Sequence, residues 1–215
     1  MKEKQQKFEV INLFPTPVML LNLPRAFTEK EIKSIHSFEK RTNVGNSVTT
    51  DYNILKTAEL KSIKQFLNSS LQIYLEKIIC PRYKTTLYIT ESWVNFTQPG
   101  GHHHIHRHQN SIVSGVLYIS AEAGKDKISF SKETHQVIYI APSEFNAWNT
   151  QSWRVGVETG QLILFPSEVA HMVEPVIGNN MRISLSFNTF VEGEIGTRED
   201  LNSLQLSRSL AYTGG

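Results

Sequence analysis

The hydrophobic pattern of this chain changes period once, near Tyr83, and that change constrains the fold more than any other feature. Before it, Ile32, Ile35 and Phe38, then Leu60, Ile63, Leu67, Leu71, Tyr74 and Ile78, recur at three and four, the spacing of one helix face. Thr28 with Glu31 forms a capping box, and Phe27 with Ile32 occupies the positions of a hydrophobic staple. The second helix is expected from about Thr57 to Ile79, ended by Pro81, with Cys80 buried at its end. A short strand is expected around Val18 to Leu23. Beyond Tyr83 the candidate strands are Leu87–Phe96, Ser111–Ser120, Lys127–Ser131, Gln136–Ala141, Gln161–Phe165, His171–Val176 and Arg182–Val191. Pro99-Gly100-Gly101, Glu122–Asp126, Gly160 and Gly178-Asn179-Asn180 punctuate them as turns. Pro142–Glu158, with Trp148, Trp153 and Arg154, reads as a long irregular loop, either a lid or a plug over the core. The expected architecture is mainly β with flanking helices: a jelly-roll-like unit packed against two N-terminal helices.

Length permits one sizeable core, so a single domain over residues 1–215 is the expectation. It would comprise helical support at about 25–80, a β core at about 85–192 and a polar tail at 196–215. The formal charge of +2 is small and its Lys and Arg are scattered, which gives no composition argument for nucleic acid or membrane binding. No apolar run approaches a membrane span, and no signal peptide is evident. A single cysteine excludes an internal disulfide and fits a reducing, cytoplasmic setting.

Five of the eight histidines fall in seven residues, in Gly100-Gly101-His102-His103-His104-Ile105-His106-Arg107-His108. The cluster lies mid-chain, directly ahead of a β-patterned run, where a purification tag would not be. Neutral imidazole is the commonest protein ligand for iron, zinc, copper and nickel. His106 and His108 are two apart, so on extended chain both side chains leave the same face. His171 can supply a third ligand from another strand. The bland alternatives are a solvated loop that binds metal adventitiously and a His171 that merely packs.

Arg182, Ser184, Ser186 and Asn188 share one face by the period of two, and Ile183, Leu185 and Phe187 share the other. A polar row inside a barrel is costly unless it meets a ligand, water or itself. Arginine offers a rigid fork that holds a carboxylate. The pattern equally allows Arg182 to pair with a structural acid such as Glu174, or the polar row to face solvent. Ser114 and Tyr118 share the parity of His106 and His108, which points them inward if no bulge intervenes.

Taken together, Trp93-Val94-Asn95, Pro99-Gly100, His106–Ser111, Ser114–Tyr118, Gly160–Ser167, His171-Met172-Val173 and Arg182–Asn188 resemble the 2-oxoglutarate/Fe(II)-dependent oxygenases of bacteria and marine cyanophages. Leu13–Val18 and Phe187–Val191 with Gly196 extend the resemblance over most of residues 10–200. It implies a double-stranded β-helix core, iron held by His106, His108 and His171, and 2-oxoglutarate anchored by Arg182. Asn95 and Ser184 resemble positions that contact the cosubstrate, with structural hydrogen bonding as the alternative for each, as for Tyr118. The wider superfamily uses His-x-Asp/Glu with a distal His, whereas His108 stands here at the carboxylate position. The crowded histidines also allow His104 and His106 to be the pair; in the preferred register His102–His104 line the entrance.

The resemblance thus implies a dioxygenase that uses Fe(II) and 2-oxoglutarate to hydroxylate an unidentified small-molecule or peptidyl substrate, releasing succinate and CO2. A homodimer is allowed, and a phage-encoded chain would work in the host cytoplasm. Two other classes stand beside this one. The first is a cupin-like metalloprotein of thiol dioxygenase or isomerase type, in which Arg182 binds the substrate's own acid group. The second is a non-catalytic phage binding module.

Overall fold

The computed structural model describes residues 7–132 and 138–207. Helix α1 (Glu29–Ser37) starts where the sequence places it: Thr28 Oγ1 accepts from the Glu31 amide and Glu31 Oε2 accepts from the Thr28 amide. Phe27 and Ile32 pack against the same apolar cluster, as a staple requires. Beyond it, short 3-10 turns at Ile54–Lys56 and Ala58–Leu60 lead into α2 (Lys61–Tyr74), which buries Ile63, Leu67, Leu71 and Tyr74. A π-helical turn at Leu75–Ile79 follows. The second helix is therefore shorter than the periodicity suggests, because both of its ends change hydrogen-bond register. Cys80 closes the π turn in a left-handed conformation at φ 50° and is exposed, against the expectation that it is buried. The final turn rotates it off the apolar face.

Among the described residues, twelve strands follow the chain order β1 (Met19–Asn22), β2 (Lys40–Asn43), β3 (Asn46–Thr49), β4 (Thr85–Thr97), β5 (His103–His106) and β6 (Val113–Ser120). They continue as β7 (Lys127–Ser131), β8 (Ser152–Gly156), β9 (Gln161–Pro166), β10 (Ala170–Val173), β11 (Arg182–Ile195) and β12 (Leu204–Leu206). The major sheet runs β1-β9-β6-β11-β4-β3-β2, with β12 on the far end of β11; the minor sheet runs β5-β10-β7-β8. Every pairing between these strands is antiparallel.

Two apolar layers hold these sheets, and strand alternation sorts residues between them. Val94, Phe96, Val113, Leu117, Ile119, Leu162, Leu164, Ile183, Leu185 and Phe187 face the helices and pack with Ile35, Ile63, Leu67 and Leu71. Val116, Tyr118, Ile163 and Phe165 face the other way and meet Ile128 and Phe130 of the minor sheet. The polar row of β11 thus points between the sheets, and its apolar row toward the helices. Solvent exposure of that row is excluded, since Arg182, Ser184 and Ser186 are buried.

Several expectations need correction. Ser152–Gly156 is a strand, paired with β7 so that Trp153 stands opposite Phe130. Trp153 and Arg154 therefore belong to a sheet edge rather than to an irregular loop. Its mostly exposed side chains left no alternation to read. The candidate strand Gln136–Ala141 begins outside the described residues, and its described part, 138–141, is not a strand. The β2–β3 hairpin, with no apolar alternation in Lys40–Asn43, went unforeseen, as did β12 in the polar tail.

Gly115 carries one specific packing constraint. A Cβ there would meet Phe187 Cζ at 2.1 Å, so only glycine lets the fully buried Phe187 ring lie across β6. Gly115→Ala should lower the unfolding free energy by about 1–3 kcal/mol, the usual cost of overpacking. In denaturant titrations, Gly115→Ala/Phe187→Leu should lose less than the sum of the two single changes. Simple additivity would show that the contact does not govern this position.

Candidate metal centre

β5 and β10 lie side by side, and their register sets His106 opposite His171. His108 lies just past the end of β5, where its backbone amide donates to Ser167 O at 3.0 Å. That tether brings its ring to 5.0 Å from His106 and 5.2 Å from His171, with His106 and His171 at 4.4 Å between centroids. The ligand atoms of His106, His108 and His171 all lie within 4.8 Å of one another. The sequence-predicted set is thus brought together by strand pairing plus one loop tether.

Two of the three imidazoles have their tautomer fixed. His106 Nδ1 lies 2.8 Å from His104 O and His171 Nδ1 lies 3.0 Å from Val169 O. A carbonyl only accepts, so each Nδ1 carries the proton and each Nε2 keeps a free lone pair, the usual arrangement of a metal-ligating histidine. Burial, reinforced by the neighbouring imidazoles, lowers the His171 pKa to about 3 and the His108 pKa to about 4, and burial also lowers that of His106. Neutral rings with inward lone pairs can bind a borderline divalent metal. Phe165 and Phe130 flank His171, and Trp93 lies 5.9 Å from His108, so the floor and one wall are apolar.

Arg182 is 2% exposed and its partner is Asp126, itself 4% exposed, with Nη1 donating at 2.9 Å. The same Nη1 donates to Glu174 O at 3.0 Å, three residues beyond His171. The Glu174 carboxylate instead pairs with Arg154. A structural acid does hold Arg182, then, but it is Asp126, which the sequence presented only as part of a turn. The pairing uses one prong of the fork: Arg182 Nη2 is buried and has no hydrogen-bond partner among the described residues. Tyr118 Oη is in the same condition, as is Asn95 Oδ1. Buried polar atoms of native proteins rarely stand unpartnered, so these are the atoms at which a polar ligand is expected. Arg182 also lies close enough to Tyr118 to influence its ionisation, which burial pushes upward.

The other inward residues divide. Asn95 Nδ2 donates to Ser186 Oγ at 3.0 Å, so half of its amide is structural. Ser184 stands opposite both Asn95 and Tyr118 in the sheet register. Ser114 joins Ser167 at 2.8 Å and Asn188 at 3.0 Å, and Ser167 donates to Ser111. Ser167 is the hub of this network, which seats the segment that carries His108 and was not foreseen. Two surface cavities, of about 250 and 520 Å³, are lined around Tyr83 and Glu194 and include no histidine. They lie at the opposite end of β4 and β11 from the site.

Residues 91–188, which carry the three histidines and Arg182, match the family described as "Putative 2OG-Fe(II) oxygenase". Among solved structures, the chain resembles an oxidoreductase of the 2OG-Fe(II) oxygenase family from Burkholderia pseudomallei at 12% identity and a TM-score of 0.55. That likeness covers 80% of this chain and 83% of that one. It also resembles HygX from Streptomyces hygroscopicus, solved with nickel and 2-oxoglutarate bound, at 9% identity and a TM-score of 0.57, over 81% and 82% of the two chains. The carbocyclase SnoK from nogalamycin biosynthesis is similar at 12% identity and a TM-score of 0.54, over 79% of each chain. No curated protein matches the chain. At such identities the structural likeness establishes the fold alone, a double-stranded β-helix.

The lowered histidine pKa values carry a sign for stability. Between the folded values near 3–4 and the free value of about 6.5, the unfolded chain binds protons that the folded chain does not. Stability of the metal-free protein should therefore be highest above about pH 6.5 and fall steadily as the pH is lowered to about 4. Thermal unfolding across that range should show a shallower slope for His171→Leu than for wild type. Parallel curves would show that His171 accepts a proton without cost in the folded state.

Proposed function

We propose that this protein is a dioxygenase that uses Fe(II) and 2-oxoglutarate, with iron held by His106, His108 and His171. In this reading the distal carboxylate of 2-oxoglutarate meets Arg182, and an unidentified substrate is hydroxylated with release of succinate and CO2. The observation that carries the reading is the pair of unpartnered buried donors, Arg182 Nη2 and Tyr118 Oη, on the inner face of the barrel whose other wall holds the three imidazoles. A cation and a neutral hydroxyl suit a carboxylate, and both already sit in a water-poor setting where a charge-assisted hydrogen bond is strong. Asp126 and Glu174 O fix the guanidinium before any ligand arrives, so little ordering is left to offset on binding.

The bound iron and 2-oxoglutarate supply the oxidative chemistry, and the chain supplies position and dielectric. His106 and His171 are oriented by backbone carbonyls, and His108 by its amide tether and the Trp93 contact. The site departs from the two-histidine, one-carboxylate arrangement usual for non-haem iron. Among the described residues, the candidate ligand groups contain histidine only. The reading carries with it the cytoplasmic setting suggested by the single cysteine. No helix of the described residues is long and apolar enough to cross a membrane.

The direct test is anaerobic addition of 2-oxoglutarate to the Fe(II)-loaded protein. A visible charge-transfer absorption that needs both components supports the proposal. Metal binding with no response to 2-oxoglutarate moves the protein to the cupin-like class. Tyr118→Phe gives a sharper residue-level test, because the hydroxyl has no hydrogen-bond partner among the described residues. The cosubstrate-free variant should be at least as stable as wild type, while 2-oxoglutarate affinity measured by calorimetry falls about threefold to tenfold. That range corresponds to roughly 0.5–1.5 kcal/mol for one neutral hydrogen bond. Equal affinity in both proteins removes Tyr118 from the site.

A further inference from the structure

The histidine run offers more ligands than one ion can use. His103, His104 and His106 also place their ligand atoms within 4.8 Å of one another. Neighbouring residues of a regular strand point to opposite faces, so His103 and His104 should diverge. They do not: their ring centroids lie 5.2 Å apart, and those of His103 and His106 4.4 Å apart. The cause is visible in the register. From His171 to Val173, β10 advances two residues while its partners on β5, His106 and His103, are three apart. The extra residue makes a β-bulge, the device by which a strand re-aims a side chain. The bulge turns three imidazoles of one short strand toward a common point at the mouth of the barrel.

We propose that His103, His104 and His106 form a second, outer site for a borderline divalent metal ion, occupied in exchange with the inner set and never together with it. His106 belongs to both sets. Its Nδ1 is committed to His104 O, which leaves one nitrogen, Nε2, that can serve only one ion at a time. Exposure grades along the path: His104 is exposed, His103, His106 and His108 are half-buried, and His171 is 2% exposed. An ion arriving from solvent meets the outer set first and reaches the inner one by exchanging His103 and His104 for His108 and His171 around a retained His106. Nothing in this depends on whether the inner ion takes 2-oxoglutarate.

The test uses Co(II) binding to the full chain, followed by calorimetry and visible absorption. Wild type should saturate at one ion per chain. His108→Ala/His171→Ala, which keeps His106 alone of the inner set, should still bind one ion. Adding His104→Ala should weaken that binding at least tenfold. Because His171 is buried, the comparison is repeated in His108→Ala, where changing His103 and His104 together should cost a similar factor. Two ions in wild type would overturn mutual exclusion. Unchanged affinity on removing His103 or His104 in either background would overturn the outer site.

Discussion

The structure depends on β11 being buried on both faces. One row, Ile183, Leu185 and Phe187, is locked into the helix-facing core, and Gly115 is bare so that Phe187 can lie there. Once that row is placed, the period of two leaves no freedom for the other. Arg182, Ser184 and Ser186 must point between the sheets, where isolated polar groups are costly. The fold meets part of that cost with Asp126, Asn95 and the Ser114–Ser167 network. Arg182 Nη2, Tyr118 Oη and Asn95 Oδ1 have no partner among the described residues and mark where a ligand would be recognised.

Charge is arranged accordingly. Asp126 pairs with Arg182 at 2.9 Å, so the buried cation has an opposite charge beside it. At the other wall the histidines are kept neutral by burial and by one another, so they present lone pairs rather than positive charge. The two ends of the barrel interior thus differ in kind: neutral nitrogen donors face a held guanidinium. That polarity suits a ligand with a metal-chelating end and an anionic end.

Much of this was legible in the chain, for identifiable reasons. Residues whose burial is one-sided and periodic, such as Ile183 to Phe187 or Leu67 and Leu71, announce their element and face. The grouping of His106, His108 and His171 was legible because they flank β-patterned runs. Asp126 was not, since it reaches Arg182 from a turn 56 residues away and no local pattern signals that meeting. The bulge in β5 was invisible because it is a relation between two strands rather than a property of one. β2 and β8, largely exposed edges, form through ladder hydrogen bonds that leave no hydrophobic signature.

In the proposed function, a single bound molecule joins the three imidazoles to Arg182 and Tyr118. Crystals grown anaerobically with Mn(II) and 2-oxoglutarate test it most directly, with anomalous scattering to locate the metal. The expected map places the metal on His106, His108 and His171, with a carboxylate of 2-oxoglutarate against Arg182 Nη2 and Tyr118 Oη. Metal on the inner histidines with 2-oxoglutarate absent or bound elsewhere, and Arg182 contacting only Asp126 and the Glu174 carbonyl, would contradict it.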